Sequence, residues 1–170
     1  PGITAVFGAG SVLLNGTTSL SFTLNNPNAG VTLSNVGFFN GLPSGLVVAT
    51  PNGLIGSCGG GTITATAGSS FVQLAGASLA GGASCNFSVN VTGLTAGVKN
   101  NSVTVNSLNG GTGNTSNASL TVVGTAPPSI TKVFGAASVL LNGTTSLSFS
   151  LNNPNAGVAL SNVGFFDGLP

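Results

Sequence analysis

Charge is almost absent from this sequence. Its 170 residues include two lysines, no arginine, no histidine and one acidic residue, so that 2% of the chain is charged; ordinary globular chains carry about 25%. Two lysines cannot form a patch that neutralises a phosphate backbone, so nucleic-acid binding is excluded. The missing carboxylates also exclude the oxygen ligands of a calcium site, and we expect neither a metal nor a cofactor.

Catalytic side chains are equally scarce. General acid–base catalysis needs a group that titrates near neutral pH, and residues 1–127 contain no His, Asp or Glu. Serines and threonines are abundant, but a serine nucleophile needs a base, and Lys99 is the one candidate in that range. We therefore expect a protein that is not an enzyme and has no catalytic residues.

Long apolar runs are missing as well. The chain is 41% hydrophobic, which is enough material for a core, but no run approaches the roughly 20 residues that cross a bilayer as a helix. We expect no membrane insertion. The net charge of +1 also lacks the self-repulsion that keeps disordered chains open.

Two cysteines are present, Cys58 and Cys85. An even count in a chain without other metal ligands favours a disulfide over a metal site, although two buried reduced thiols are the alternative. A disulfide would indicate an oxidising compartment, and hence an extracellular or cell-surface location.

An internal repeat is the strongest signal in the sequence. Residues 1–43 and 128–170 align at an offset of 127 residues, and all but six of the aligned positions are identical. Such similarity predicts a tandem array. We expect a complete repeat over residues 1–123, a Pro-rich linker over 124–128, and the first third of the next repeat over 129–170. That third would leave strand edges and an apolar face in water unless the same or another chain completed it.

Polar and apolar residues alternate with period two, which predicts strands. The clearest alternation covers Thr18–Leu24, Cys85–Val91, Ser102–Asn106 and Ala118–Val123. Shorter strands are predicted at Ile3–Phe7, Ser11–Leu14, Val36–Asn40, Leu46–Thr50, Thr62–Ala67 and Ser70–Leu74. No apolar stripe with helical spacing occurs. About nine strands in roughly 125 residues predict an all-β, immunoglobulin-like Greek-key β-sandwich, repeated in tandem.

Several short motifs resemble a bacterial surface-repeat family. They are Ile-Thr-Lys-Val-Phe-Gly (130–135), Leu-Ser-Phe-Ser-Leu-Asn-Asn-Pro-Asn (147–155), Cys-Gly-Gly-Gly-Thr-Ile-Thr-Ala (58–65), Gly-Gly-Ala-Ser-Cys (81–85) and Asn-Gly-Gly-Thr-Gly-Asn (109–114). In these motifs the chain resembles the immunoglobulin-like conserved-repeat class related to the "domain of unknown function eleven". The resemblance implies secretion, tandem arrays on very large surface proteins, and a cysteine pair within each repeat.

Lys132 and Asp167 lie in the second copy, whereas Ala5 and Asn40 hold the same positions in the first. An internal Lys–Asn or Lys–Asp amide bond is one hypothesis. The other, two solvated charges, is favoured because the acid that promotes such a bond is missing from the complete period.

These features predict a structural building block of an extracellular filament or surface array. The expected partners are copies of the protein itself, either consecutive repeats of one polyprotein or separate chains that exchange strands. We favour the polyprotein, because residues 1–43 already fill the place that a lent copy would take. The alternative function is a stalk or binding module of a large secreted adhesin.

Overall fold

The computed structural model of the protein describes residues 1–169, and the regular secondary structure in them consists of β-strands. It divides into two compact units, unit 1 over Pro1–Gly124 and unit 2 beginning at Thr125. The strands are β1 (Gly2–Phe7), β2 (Ser11–Leu13), β3 (Thr17–Asn25), β4 (Leu33–Gly41), β5 (Leu46–Val48), β6 (Ile55–Ser57), β7 (Thr62–Thr64), β8 (Phe71–Leu79), β9 (Ser84–Gly93), β10 (Gly97–Ser107), β11 (Gly111–Val123), β12 (Ser129–Phe134) and β13 (Leu147–Asn152). No helix in this part of the chain is long and apolar enough to span a bilayer.

Unit 1 is a sandwich of two sheets. One sheet has the order β1-β3-β9-β5, with β6 also paired to β9, and the other has the order β2-β11-β10-β4-β8-β7. The strands β1, β3 and β9 take the places of A, B and E in an immunoglobulin domain, and β4, β10 and β11 take those of C, F and G. The predicted immunoglobulin-like Greek-key β-sandwich is confirmed.

The core lies between the two sheets and is built from the alternating residues of the long strands. Leu20, Phe22 and Leu24 of β3 are fully buried. The Phe22 ring centroid lies 4.8 Å from that of Phe38 in β4 and 5.2 Å from that of Phe87 in β9. Since β4 belongs to the opposite sheet, these three rings join the two layers.

The structure departs from the predicted strands where the alternation breaks. The strand predicted at Ser70–Leu74 continues as β8 to Leu79. Its register against β4 shifts near Ala75 and Gly76, where Gly76 has a φ of 74°. An extra residue at such a bulge reverses which residues face inward, and this hides the rest of the strand from a period-two search.

Unit 2 repeats the opening of unit 1. Its strands β12 and β13 pair antiparallel with Ile130 opposite Leu151, as Ile3 lies opposite Leu24 in unit 1. The ring centroids of Phe149 and Phe165 are 4.8 Å apart, which equals the distance between their counterparts. The near-identical sequences therefore adopt the same local geometry. Residues 124–128 carry no regular secondary structure.

Candidate functional site

The structure brings Cys58 and Cys85 together in a disulfide with a Cα–Cα distance of 5.0 Å. The short strand β6, which the sequence did not predict, puts Cys58 in place. Its last residue, Ser57, lies opposite Asn86 of β9, so the next residue along β6 meets the one before Asn86. Cys58 is fully buried and belongs to the hydrophobic core.

A glycine turn follows Cys58 and carries the chain from one sheet to the other. Gly59 and Gly60 both have positive φ, and the Gly61 amide donates to the Cys58 carbonyl at 2.8 Å. A Cβ on Gly59 would lie 2.3 Å from the Ser78 carbonyl oxygen, so a side chain does not fit there. The disulfide thus anchors the point at which the chain crosses between the sheets.

Side chains of the last strand of unit 1 cover the outer edge of its first strand. The Ile3 amide donates to Asn114 Oδ1 at 2.7 Å, and Asn114 Nδ2 donates to the Ile3 carbonyl at 2.9 Å. The Ala5 amide donates to Ser116 Oγ at 2.9 Å. The strand β2 also pairs parallel with β11. The two ends of unit 1 are therefore tied together, and an otherwise open strand edge is closed.

The buried polar side chains of unit 1 differ in whether they have hydrogen-bond partners. Lys99 is buried, and its ammonium donates to the Ser44 carbonyl at 3.0 Å and to Thr95 Oγ1 at 2.6 Å. Asn40 and Asn101 are also buried, but neither the Nδ2 nor the Oδ1 of either side chain has a hydrogen-bond partner. Buried polar atoms without partners are rare in folded proteins and call for an explanation.

The burial of these two asparagines was not predicted from the sequence, although a signal was present. On β10, Val103 and Val105 face inward, and period two extended backward assigns Asn101 and Lys99 to the same face. On β4, the inward-facing Phe38 implies the same orientation for Asn40.

Unit 2 contains an ion pair. Lys132 Nζ lies 2.8 Å from Asp167 Oδ1, although 35 residues separate the two in sequence. Lys132 is on β12, and Asp167 lies in the segment that corresponds to β4 of unit 1. The structure therefore places the two charges in contact, while 39% of the lysine side chain and 25% of the aspartate side chain stay exposed to solvent.

The apolar residues of unit 2 face solvent where their counterparts form the core of unit 1. We call the residues Ile130, Phe134, Leu151 and Phe165 the completion face. Ile130 is 47% exposed and Phe165 is 50% exposed, against 3% each for Ile3 and Phe38.

Metal-ligand clusters were not expected. In residues 1–169 the structure shows no group of three or more His, Cys, Asp or Glu side chains that could hold an ion. The features that remain are therefore the disulfide, the unpaired asparagines, the ion pair and the completion face.

Residues 1–122 match the family model described as Domain of unknown function (DUF7933). The chain belongs to this family. The resemblance to the conserved-repeat class related to "domain of unknown function eleven" stays a prediction beside this membership. No protein of curated function is similar to the chain in sequence.

Three solved structures are weakly similar to this family member. A non-cellulosomal cohesin from the hyperthermophilic archaeon Archaeoglobus fulgidus aligns with a TM-score of 0.46 and 12% identity, over 72% of this chain and 92% of that one. The collagen-binding domain from a Staphylococcus aureus adhesin gives 0.47 and 9%, over 71% and 99%. The pilus backbone RrgB from Streptococcus pneumoniae gives 0.44 and 13%, over 62% and 30%.

Proposed function

We propose that the protein is a non-catalytic building block of an extracellular filament or surface array made of tandem β-sandwich repeats. The observation that carries the proposal is the internal repeat at an offset of 127 residues, whose two copies share strand register and aromatic packing. The residues of the completion face are buried in unit 1 and exposed in unit 2. The rest of the second repeat, in the arrangement of unit 1, would cover this face.

The surroundings of the equivalent residues in unit 1 support this completion. There β9, β10 and β11 contribute Phe87, Val103, Val105 and Leu120 to the core. Exposed apolar patches and open strand edges favour association. The counterparts of these three strands, in the rest of the second repeat, would cover Ile130 and Phe165.

The linker supports a covalent array over an exchange between separate chains. Residues 124–128 lead directly from the last strand of one repeat into the first strand of the next. Within unit 2, the Ala126 amide donates to Asn155 Oδ1 at 2.7 Å, and Asn155 Nδ2 donates to the Ala126 carbonyl at 2.8 Å. These bonds and the two prolines, which fix φ, make a short and stiff joint.

Unit 1 is also built to resist tension along the chain. The parallel pair formed by β2 and β11 involves strands close to the two ends of the unit. Pulling those ends apart shears the hydrogen bonds of the pair, so they must break together rather than one at a time. The disulfide at Cys58 and Cys85 adds a covalent restraint inside the sandwich.

The surface and the disulfide suit an external assembly. The outward hydroxyls of Thr104 and Thr115 lie 2.6 Å apart across neighbouring strands, and Ser119 Oγ donates to Asn100 Oδ1 at 2.7 Å. Such a neutral surface lacks the charge repulsion that keeps soluble proteins apart. Disulfides persist outside the cytosol, which is consistent with an extracellular or cell-surface location.

Self-association of a chain with two complete repeats, residues 1–170 followed by a copy of residues 44–127, tests the proposal. We expect extended assemblies in negative-stain electron microscopy and fast-sedimenting species in ultracentrifugation. A chain that stays monomeric and monodisperse would contradict this role and favour the adhesin stalk or binding module.

A further inference from the structure

Two of the six differences between the copies change charge, and the structure places these two positions in contact. Ala5 becomes Lys132 and Asn40 becomes Asp167, whereas the other four exchange small residues of Gly, Ala, Ser and Thr. The 2.8 Å distance from Lys132 Nζ to Asp167 Oδ1 shows that a lysine at the first position reaches an acid at the second.

Unit 1 shows what surrounds these two positions in a complete sandwich. Ala5 and Asn40 are both buried there. Asn101, also buried, lies on β10 beside β4, where Asn106 pairs antiparallel with Gly37. Counting from that pair sets Val103 opposite Asn40, so Asn101 lies two residues further along the same inward face. The amide of Asn101 has no hydrogen-bond partner.

We propose that a complete repeat of this kind forms an internal amide cross-link by itself. The bond joins a lysine at position 5 of the repeat to the asparagine at position 101, and an acid at position 40 promotes it. The second copy carries the amine and the acid as Lys132 and Asp167. Its acceptor is the asparagine that occupies the position of Asn101 once the repeat is complete. The first copy retains the asparagine alone.

The reaction balances without a co-reactant. When the core closes around the ion pair, the lysine ammonium passes a proton to the aspartate oxygen to which it is hydrogen-bonded. The free amine attacks Cγ of the asparagine and forms the C–N bond. The carboxyl group then donates its proton to the departing nitrogen as the Cγ–Nδ2 bond breaks, and the carboxylate so formed takes the surplus proton from the attacking nitrogen. One ammonia leaves, and one secondary amide remains.

The proposal explains the unpaired asparagines of unit 1. Ala5 provides no amine and Asn40 provides no acid. The primary amide of Asn101 therefore stays intact, without an amine to react with and without a hydrogen-bond partner. In a repeat that has all three residues, the same amide is consumed and its carbonyl lies beside the acid. The first copy is therefore a repeat in which the bond cannot form.

The first test restores the missing residues in the 170-residue chain. The double substitution Ala5→Lys with Asn40→Asp should lower the intact mass by one ammonia, and proteolysis should yield a branched peptide joining residues 5 and 101. The same chain with Asn101→Ala should keep its full mass. The chain with Ala5→Lys alone should also keep its full mass, because the side-chain amide of Asn40 cannot act as the acid and base that the reaction needs. The unaltered chain should show no loss.

The second test uses the native lysine and acid, so a folding defect of the double variant leaves the proposal testable. A chain extended after residue 170 by a copy of residues 44–127 contains two complete repeats. It should lose one ammonia, and its Lys132→Ala variant should lose none. An extended chain that is folded, with all-β circular dichroism and closed disulfides, but keeps its full mass would overturn the cross-link. That outcome would leave filament formation unaffected, so the two proposals fail separately.

Discussion

Three asparagines of unit 1 are buried, and their amides meet different surroundings. Asn26 Nδ2 donates to the Val31 carbonyl at 2.7 Å and to the Leu79 carbonyl at 2.9 Å, while its Oδ1 accepts from the Asn28 amide. Asn40 and Asn101 make no such bonds. A buried polar group that is satisfied holds a loop in place, whereas an unsatisfied one costs about 1–3 kcal/mol.

Replacing Asn40 with leucine should therefore stabilise unit 1. We expect the free energy of unfolding to rise by about 1–3 kcal/mol, because the change removes two unpaired polar atoms at similar side-chain volume. Asn26→Leu is the matched control and should lower it by a similar amount, since it leaves backbone groups without partners. Urea unfolding of the full chain measures both. A loss of stability in Asn40→Leu as large as that in Asn26→Leu would refute this interpretation.

Among the elements, β6 and the turn after it carry the chain from one sheet to the other, and the disulfide ties the start of this crossing to β9. The strand is only three residues long, and all three are exposed. Its pairing with β9 nevertheless sets Cys58 opposite Cys85. The 27-residue separation of the two cysteines defines the loop that the bond closes.

Removing this bond should destabilise unit 1 strongly. For a loop of this length, the chain-entropy model gives a loss of roughly 3–4 kcal/mol in the free energy of unfolding. The double substitution Cys58→Ala with Cys85→Ala tests this by denaturant titration, and the unaltered chain with and without reductant is the control. Equal midpoints for the two chains under oxidising conditions would mean that the bond contributes nothing to the stability of the fold.

The elements also show how far the sequence alone could lead. The strands β3 and β9, and residues 102–106 of β10 and 118–123 of β11, were predicted because one of their faces packs on the core and the other faces water. The strand β6 was not predicted because three exposed residues have no periodicity. The second half of β8 was not predicted because a bulge reverses which of its residues face inward. The proximity of Lys132 and Asp167 depends on strands brought together by folding, which no local spacing reveals.

At the scale of the whole molecule, the near absence of charge should make stability independent of pH. Unit 1 contains one lysine and no Asp, Glu or His. Stability changes with pH only where folding changes proton binding. We expect the free energy of unfolding of unit 1 to vary by less than about 1 kcal/mol between pH 4 and pH 9, which is less than the worth of one pKa unit at one group. Thermal unfolding across this range checks it; a steep loss below pH 5 would contradict it.

The central claim is that sandwich repeats continue one another in an extracellular fibre. Electron microscopy of the native material, with helical reconstruction and chain tracing across Pro127 and Pro128, tests it most directly. The account predicts continuous density from one sandwich into the next, with one 127-residue repeat per step. A chain break within each repeat, with residues 128–170 packed into a neighbouring molecule, would replace the polyprotein by strand exchange. Isolated particles without any filament would contradict the structural role itself.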